Sequence, residues 1–134
     1  MRASAVLAPL LATAVLAGAA CAGTGRTALT VSYREDGAEP ETTIVWTLRC
    51  DPVGGTHPRR TAACAGLERV GRDAFRPVPK DVACTEIYGG PQTAVVSGRI
   101  DGRRVWARFR RDNGCEIARW SRLAPWLLPP GGAT

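Results

Sequence analysis

Four cysteines, Cys50, Cys64, Cys84 and Cys115, constrain this chain more than any other feature. They follow an apolar leader. Met1-Arg2 gives a short positive start, and residues 5–20 are almost wholly Ala, Leu, Val and Gly. That run is too short and too rich in small residues to span a bilayer, and it reads as a secretory signal. Four cysteines in a small exported domain most often pair into two disulfides. Taken in sequence order they pair as Cys50–Cys64 and Cys84–Cys115, and the sequence alone allows two other pairings.

A fifth cysteine, Cys21, stands at the end of the leader. Ala20-Cys21-Ala22 fits a cleavage site with small residues, giving a signal peptide over 1–22. Alternatively, the leader is a lipoprotein signal over 1–20 and Cys21 is a lipidated first residue. A membrane partner is expected only in that second case. A linker then covers 23–27, one domain covers 28–128, and 129–134, with its Pro-Pro-Gly-Gly, is a flexible tail.

The 134 residues carry a formal charge of +6, and all but one of the 18 basic residues are arginine. Nucleic acid is not expected as a partner, because an exported disulfide protein seldom meets it.

Period-two patterning marks strands at 28–33 and 42–50; in the second, Ile44, Trp46 and Leu48 share one face. Residues 34–41 and 51–60 are turn-rich connections. Ala63, Leu67, Val70 and Ala74 form one apolar stripe of a helix over 61–75, with Thr61 as its N-cap and Gly71 as a weak interior point. Asp101-Gly102 is a strong hairpin signal between strands at 92–100 and 103–110. Val105, Ala107 and Phe109 share one face of the last strand; Arg104, Trp106, Arg108 and Arg110 share the other. Cys115 is expected on a further strand after this hairpin. These elements make an α+β fold, an antiparallel sheet packed by a helix.

The chemistry-bearing residues do not assemble a catalyst. The one histidine, His57, lies in Gly55-Thr56-His57-Pro58 and reads as a structural loop residue bonded to backbone. No nucleophile element accompanies it, and one histidine with oxidised cysteines cannot build a metal site. No enzyme, cofactor or metal is expected. A binding function is favoured by Cys84-Thr85-Glu86-Ile87-Tyr88-Gly89-Gly90-Pro91, a short loop that starts at a cysteine. A tethered loop loses little entropy on binding, so it binds tightly over a modest area.

Cys50, Gly55-Thr56-His57-Pro58, Ala63-Cys64-Ala65 with Leu67, Cys84 with Tyr88 and Pro91, Gly102 with Arg104-Val105, and Asn113-Gly114-Cys115-Glu116 together resemble the Streptomyces subtilisin inhibitor family. The resemblance runs from about Ala28 to Ile117. It implies a five-stranded antiparallel sheet with two helices, the two disulfides in sequence order, and commonly a homodimer formed through the sheet. It also implies inhibition of an extracellular serine protease by a substrate-like loop whose scissile bond is Glu86–Ile87. Cys84, Thr85, Tyr88 and Gly89 then line the protease, while Asn113 and Cys115 support the loop.

The chain departs from the family pattern at three places. Thr85 replaces the usual Pro after the cysteine. Gly89-Gly90-Pro91 stands where Asp-Pro is usual, one residue longer and looser. Glu86 occupies the specificity position, usually Met or a basic residue. Burying an unpaired carboxylate in an apolar pocket costs several kcal/mol. The expected target is therefore a glutamyl-specific protease with a basic pocket, or a subtilisin that tolerates Glu. The alternative is an envelope-anchored binding or structural domain that keeps the fold and does not inhibit.

Overall fold

A computed structural model describes residues 26–37 and 42–131. The leader, the choice of cleavage site, Cys21 and residues 38–41 of the 34–41 connection lie outside the described residues, as do 132–134.

The sheet has five strands in the order β3-β2-β1-β4-β5. They are β1 (Thr27–Arg34), β2 (Thr43–Cys50), β3 (Gly54–Gly55), β4 (Thr93–Ile100) and β5 (Arg103–Phe109), and every pairing is antiparallel. Alternation decides which side chains enter the core. Leu29, Val31 and Tyr33 of β1, Ala94, Val96 and Ile100 of β4, and Ala107 and Phe109 of β5 are all buried. In β2 the inward row is buried at Leu48 and Cys50 and partly buried at Trp46, but Ile44 is exposed at the open end of the strand.

The hairpin at Asp101-Gly102 forms as its sequence indicates. Ile100 pairs with Arg103 across a two-residue loop, and both loop residues take positive φ, 51° and 78°. That is the mirror-image turn whose twist matches the flanking strands. The loop is tied back to β1: the Asp101 amide donates to Thr27 Oγ1 at 3.2 Å and the Gly102 amide to the Arg26 carbonyl at 2.7 Å. The two-residue strand β3 was not legible in its sequence, because two glycines carry no alternation to read.

The expected single helix over 61–75 divides. Helix α1 runs from Arg60 to Val70, and Gly71–Phe75 winds on as a 3₁₀ helix. Thr61 is not the N-cap; Arg59 holds that place without a side-chain capping bond. Gly71 takes φ 60° and bonds its amide to the Leu67 carbonyl. A residue with a side chain resists that φ, so Gly71 ends the α-helix and does not weaken its interior. The apolar stripe holds: Ala63, Leu67 and Ala74 are buried and Val70 is partly so.

A second helix, α2 (Gly114–Leu123), follows β5 directly, so Cys115 stands in a helical first turn and not on a strand. The start of α2 is written locally. The Asn113 Oδ1 accepts the Glu116 amide at 2.9 Å, with Glu116 three residues on, close to the helix's positive end. Glu116 is itself buried, at 2.7 Å from Arg119 and 3.9 Å from Arg110. From α2 onward the chain turns into the core. Trp120, Leu123, Leu127 and Leu128 are all fully buried, and the Trp120 indole N–H donates to the Pro129 carbonyl at 2.8 Å. Both helices therefore cover one face of the sheet, and the other face carries no described element.

Candidate functional site

The disulfides are Cys50–Cys64, with Cα atoms 5.7 Å apart, and Cys84–Cys115, at 5.4 Å. The first fastens the end of β2 to α1. The second fastens the start of the 84–91 loop to the first turn of α2, and around it the candidate site is built.

The loop has no secondary structure of its own. Thr85 and Glu86 are exposed, and Ile87 and Tyr88 are 61% and 67% exposed, among the most exposed large apolar side chains of the described residues. Four adjacent residues thus face solvent with no covering element. Leaving two large apolar side chains so open on a folded surface marks a contact site more readily than a stability device.

Both flanks of this crest are held by one short run, Arg111 to Cys115. On the Cys84 side, the disulfide is joined by a hydrogen bond from the Gly114 amide to the Thr85 carbonyl, 2.9 Å. Gly114 has no side chain because Thr85 Oγ1 occupies the space a Cβ would need. On the other side, the Gly89 amide donates to the Arg111 carbonyl at 2.6 Å, and the Arg111 Nε donates to the Gly89 carbonyl at 3.1 Å. A Cβ on Gly89 would meet Ile117 Cδ1 at 2.8 Å and the Arg111 carbonyl oxygen at 3.1 Å. The glycine that made this segment look loose in the sequence is the one that lets it lie flat against α2.

Asn113 lies within this run, and its side-chain oxygen caps α2. The bonds into the loop come from Gly114 and Arg111. The helix start that Asn113 caps carries Gly114 and Cys115. Arg111 and Gly114 were missed in the sequence: nothing distinguishes Arg111 among so many arginines, and the run of residues just before Cys115 is the only signal pointing to it.

His57 is buried away from the loop. Its Nδ1 accepts the Arg59 amide at 3.0 Å, so the proton resides on Nε2, which donates to the Leu127 carbonyl at 2.9 Å. Its ring meets the edge of Trp46 at 5.4 Å between centroids. Both ring nitrogens are committed to backbone, so His57 is a structural residue of this loop, as its sequence indicates. Among the described residues no group of three His, Cys, Asp or Glu comes together as a metal site.

A disulfide-anchored, solvent-facing loop on an α+β scaffold defines a protein that presents a fixed peptide to another protein. Residues 24–113 match the family described as subtilisin inhibitor-like, and the chain belongs to that family. It is a family of protease inhibitors and not of enzymes. The chain is similar to trypsin inhibitor STI2 of Streptomyces longisporus, 35% identical over 121 residues that cover 86% of this chain and 83% of that one. It is also 42% identical to subtilisin inhibitor-like protein 1 of Streptomyces cacaoi over 76 residues, 53% of this chain and 67% of the relative. Among solved structures it is similar to sermetstatin of Streptomyces caespitosus, in complex with Bacillus licheniformis subtilisin. The TM-score there is 0.47 at 24% identity, covering 73% of this chain and 96% of that one.

Proposed function

We propose that this protein is a secreted inhibitor of extracellular serine endopeptidases, which it engages through the 84–89 loop with Glu86–Ile87 as the scissile bond. The observation that carries this reading is the exposed crest from Thr85 to Tyr88, fastened on both flanks to residues 111–115. A protease needs an extended peptide to align its nucleophile with a carbonyl carbon. A loop already held in place presents one at little entropic cost. The relatives' names, inhibitors of subtilisin type and of trypsin, support a serine protease as the partner.

Glu86 would enter the protease's primary pocket, with Cys84, Thr85, Ile87, Tyr88 and Gly89 along the cleft. A carboxylate there favours a glutamyl-specific protease with a basic pocket, or a subtilisin-type protease at some loss of affinity. The test is inhibition constants of wild type, Glu86→Lys and Glu86→Met against a glutamyl endopeptidase, trypsin and subtilisin. The wild type should inhibit the glutamyl enzyme best of the three, and Glu86→Lys should move preference to trypsin. If the lysine variant gains nothing on trypsin, Glu86 is not the specificity residue.

The leader supports export, with Cys21 either lost with the signal or retained as a lipid anchor. Mass spectrometry of the mature N-terminus separates a start at Gly23 or beyond from an acylated Cys21. The uncovered face of the sheet supports a homodimer formed through it.

A further inference from the structure

Arg111 lies 22 residues beyond Gly89 in sequence, yet the two meet twice. The Arg111 carbonyl accepts the Gly89 amide, and the Arg111 side chain returns a bond to the Gly89 carbonyl, closing a ring of two hydrogen bonds. The guanidinium is buried and sits 5.8 Å from the centroid of the Trp120 ring. It also packs against Gly131, where a Cβ would collide with it. A buried guanidinium is costly unless its donors and its charge find partners. Among the described residues no carboxylate forms an ion pair with it, so the Gly89 carbonyl and the Trp120 face are its compensation. An arginine kept in such a place does something an apolar residue cannot.

What it does follows from where the two flanks end. If a protease serine attacks the Glu86 carbonyl carbon, the C–N bond to Ile87 breaks. The Glu86 acyl group passes to the serine oxygen, and the Ile87 nitrogen takes up a proton as a free amine. Glu86 stays tethered through Thr85 and Cys84 to residues 114 and 115. Ile87 stays tethered only through Tyr88 and Gly89. The amine can attack the acyl carbon again, return its proton and release the serine only while it stays within bonding reach. Everything that keeps it there passes through Gly89.

We propose that Arg111 is the positioning residue of the amine side of the loop, holding Gly89 so that Ile87 remains in place to re-form the bond to Glu86. The assignment rests on the reading of Glu86–Ile87 as the scissile bond and adds the residue that, on the amine side, complements the Cys84–Cys115 tether on the acyl side. Arg111→Met keeps an unbranched apolar stem out to the position of Nε but removes the donor and the charge. Arg111→Gln places an amide N–H at the same number of bonds from the backbone as the arginine Nε, without the charge.

The experiment compares the full mature protein with both variants by hydrogen exchange at the Gly89 amide and by the rate at which an inhibited protease cuts Glu86–Ile87. In Arg111→Met both should rise about tenfold or more, the factor that goes with losing one hydrogen bond to a charged group. Amides of β5 and α2 should keep their exchange rates, and Arg111→Gln should return part of the effect, as a neutral donor in place of a charged one. Unchanged Gly89 exchange in the Met variant overturns the assignment, as does a Gln variant no better than Met. Should the Met variant not fold, Gly89→Ala separates the same contact from the loop side with Arg111 intact, and cleavage no faster than wild type overturns the assignment equally. A wild type that inhibits no protease refutes the inhibitory reading, and the Gly89 exchange rates still decide whether Arg111 positions the loop.

Discussion

His57 and Leu127, 70 residues apart in the chain, meet through a hydrogen bond of 2.9 Å from the imidazole Nε2 to the main-chain carbonyl. The contact joins the loop before α1 to the segment after α2, and it is buried. His57→Ala removes this bond, leaves the Arg59 amide without its acceptor, and empties space beside Trp46. The expected loss is about 2–4 kcal/mol of folding stability, measured by urea unfolding. Inhibition by the folded variant should equal that of wild type, since the loop's supports come from residues 111–115.

The two disulfides should divide their effects. Removing Cys50–Cys64, which closes a 14-residue separation, should cost on the order of 3 kcal/mol and leave the loop intact in the folded protein. Removing Cys84–Cys115, with a separation of 31, should cost slightly more. It should also free the Glu86 side, so that a protease cuts Glu86–Ile87 and releases its product. The checks are thermal unfolding of both double Cys→Ala variants and electrophoresis after incubation with protease.

For the dimer proposed above, formed through the sheet face that no described element covers, the charges on that face set the salt dependence. Arg34, Arg49, Arg99, Arg104 and Arg108 point to it around Val45, Val95 and Trp106, which is 68% exposed. Arg99 stands directly opposite Arg104, and the four long strands contain no Asp or Glu. Two such faces related by a two-fold axis set arginine against arginine. Association should therefore tighten as ionic strength rises from about 0.01 M to about 1 M, as the screening length falls from about 30 Å to about 3 Å. Sedimentation equilibrium reads the dimer fraction. A dimer that weakens with salt would place its contacts elsewhere.

Tyr33 gives the protein a stability limit at alkaline pH. Burial pushes its pKa above the usual 10.0, Glu35 and Asp36 add to the rise, and the Arg111 guanidinium opposes it. Below about pH 10 the phenol keeps its proton in both folded and unfolded chains, and the full contribution is present. As pH rises further the unfolded chain releases the proton first, so stability falls until pH passes the folded pKa. Thermal unfolding from about pH 9 to 12 should show this slope in wild type and lose it in Tyr33→Phe.

How far the fold could be read depended on the kind of signal each element carries. The hairpin at Asp101-Gly102 was legible because its turn type requires two positive φ angles and few residue pairs supply them. Strands β1, β4 and β5 were legible because one face meets the core and the other meets water, which imposes a period of two. Helix α1 was legible in its stripe but not in its end: Gly71 has the same letter whether it sits in a helix or stops one. Helix α2 went unread as a helix in the residue pattern and entered only through the family resemblance.

The sequence by itself determined the long strands, the Asp101-Gly102 hairpin, the apolar stripe of α1 and a cysteine-led loop with an acid at its crest, because alternation and turn chemistry are local properties of a chain; the cysteine pairing it left open was settled by the fold. Only the tertiary structure decided what holds the loop. Arg111 reaches Gly89, and Gly114 reaches Thr85, across separations no local pattern encodes. Those contacts exist because β5, α2 and the 84–91 loop are packed against one another by a core that includes Phe109 and Trp120.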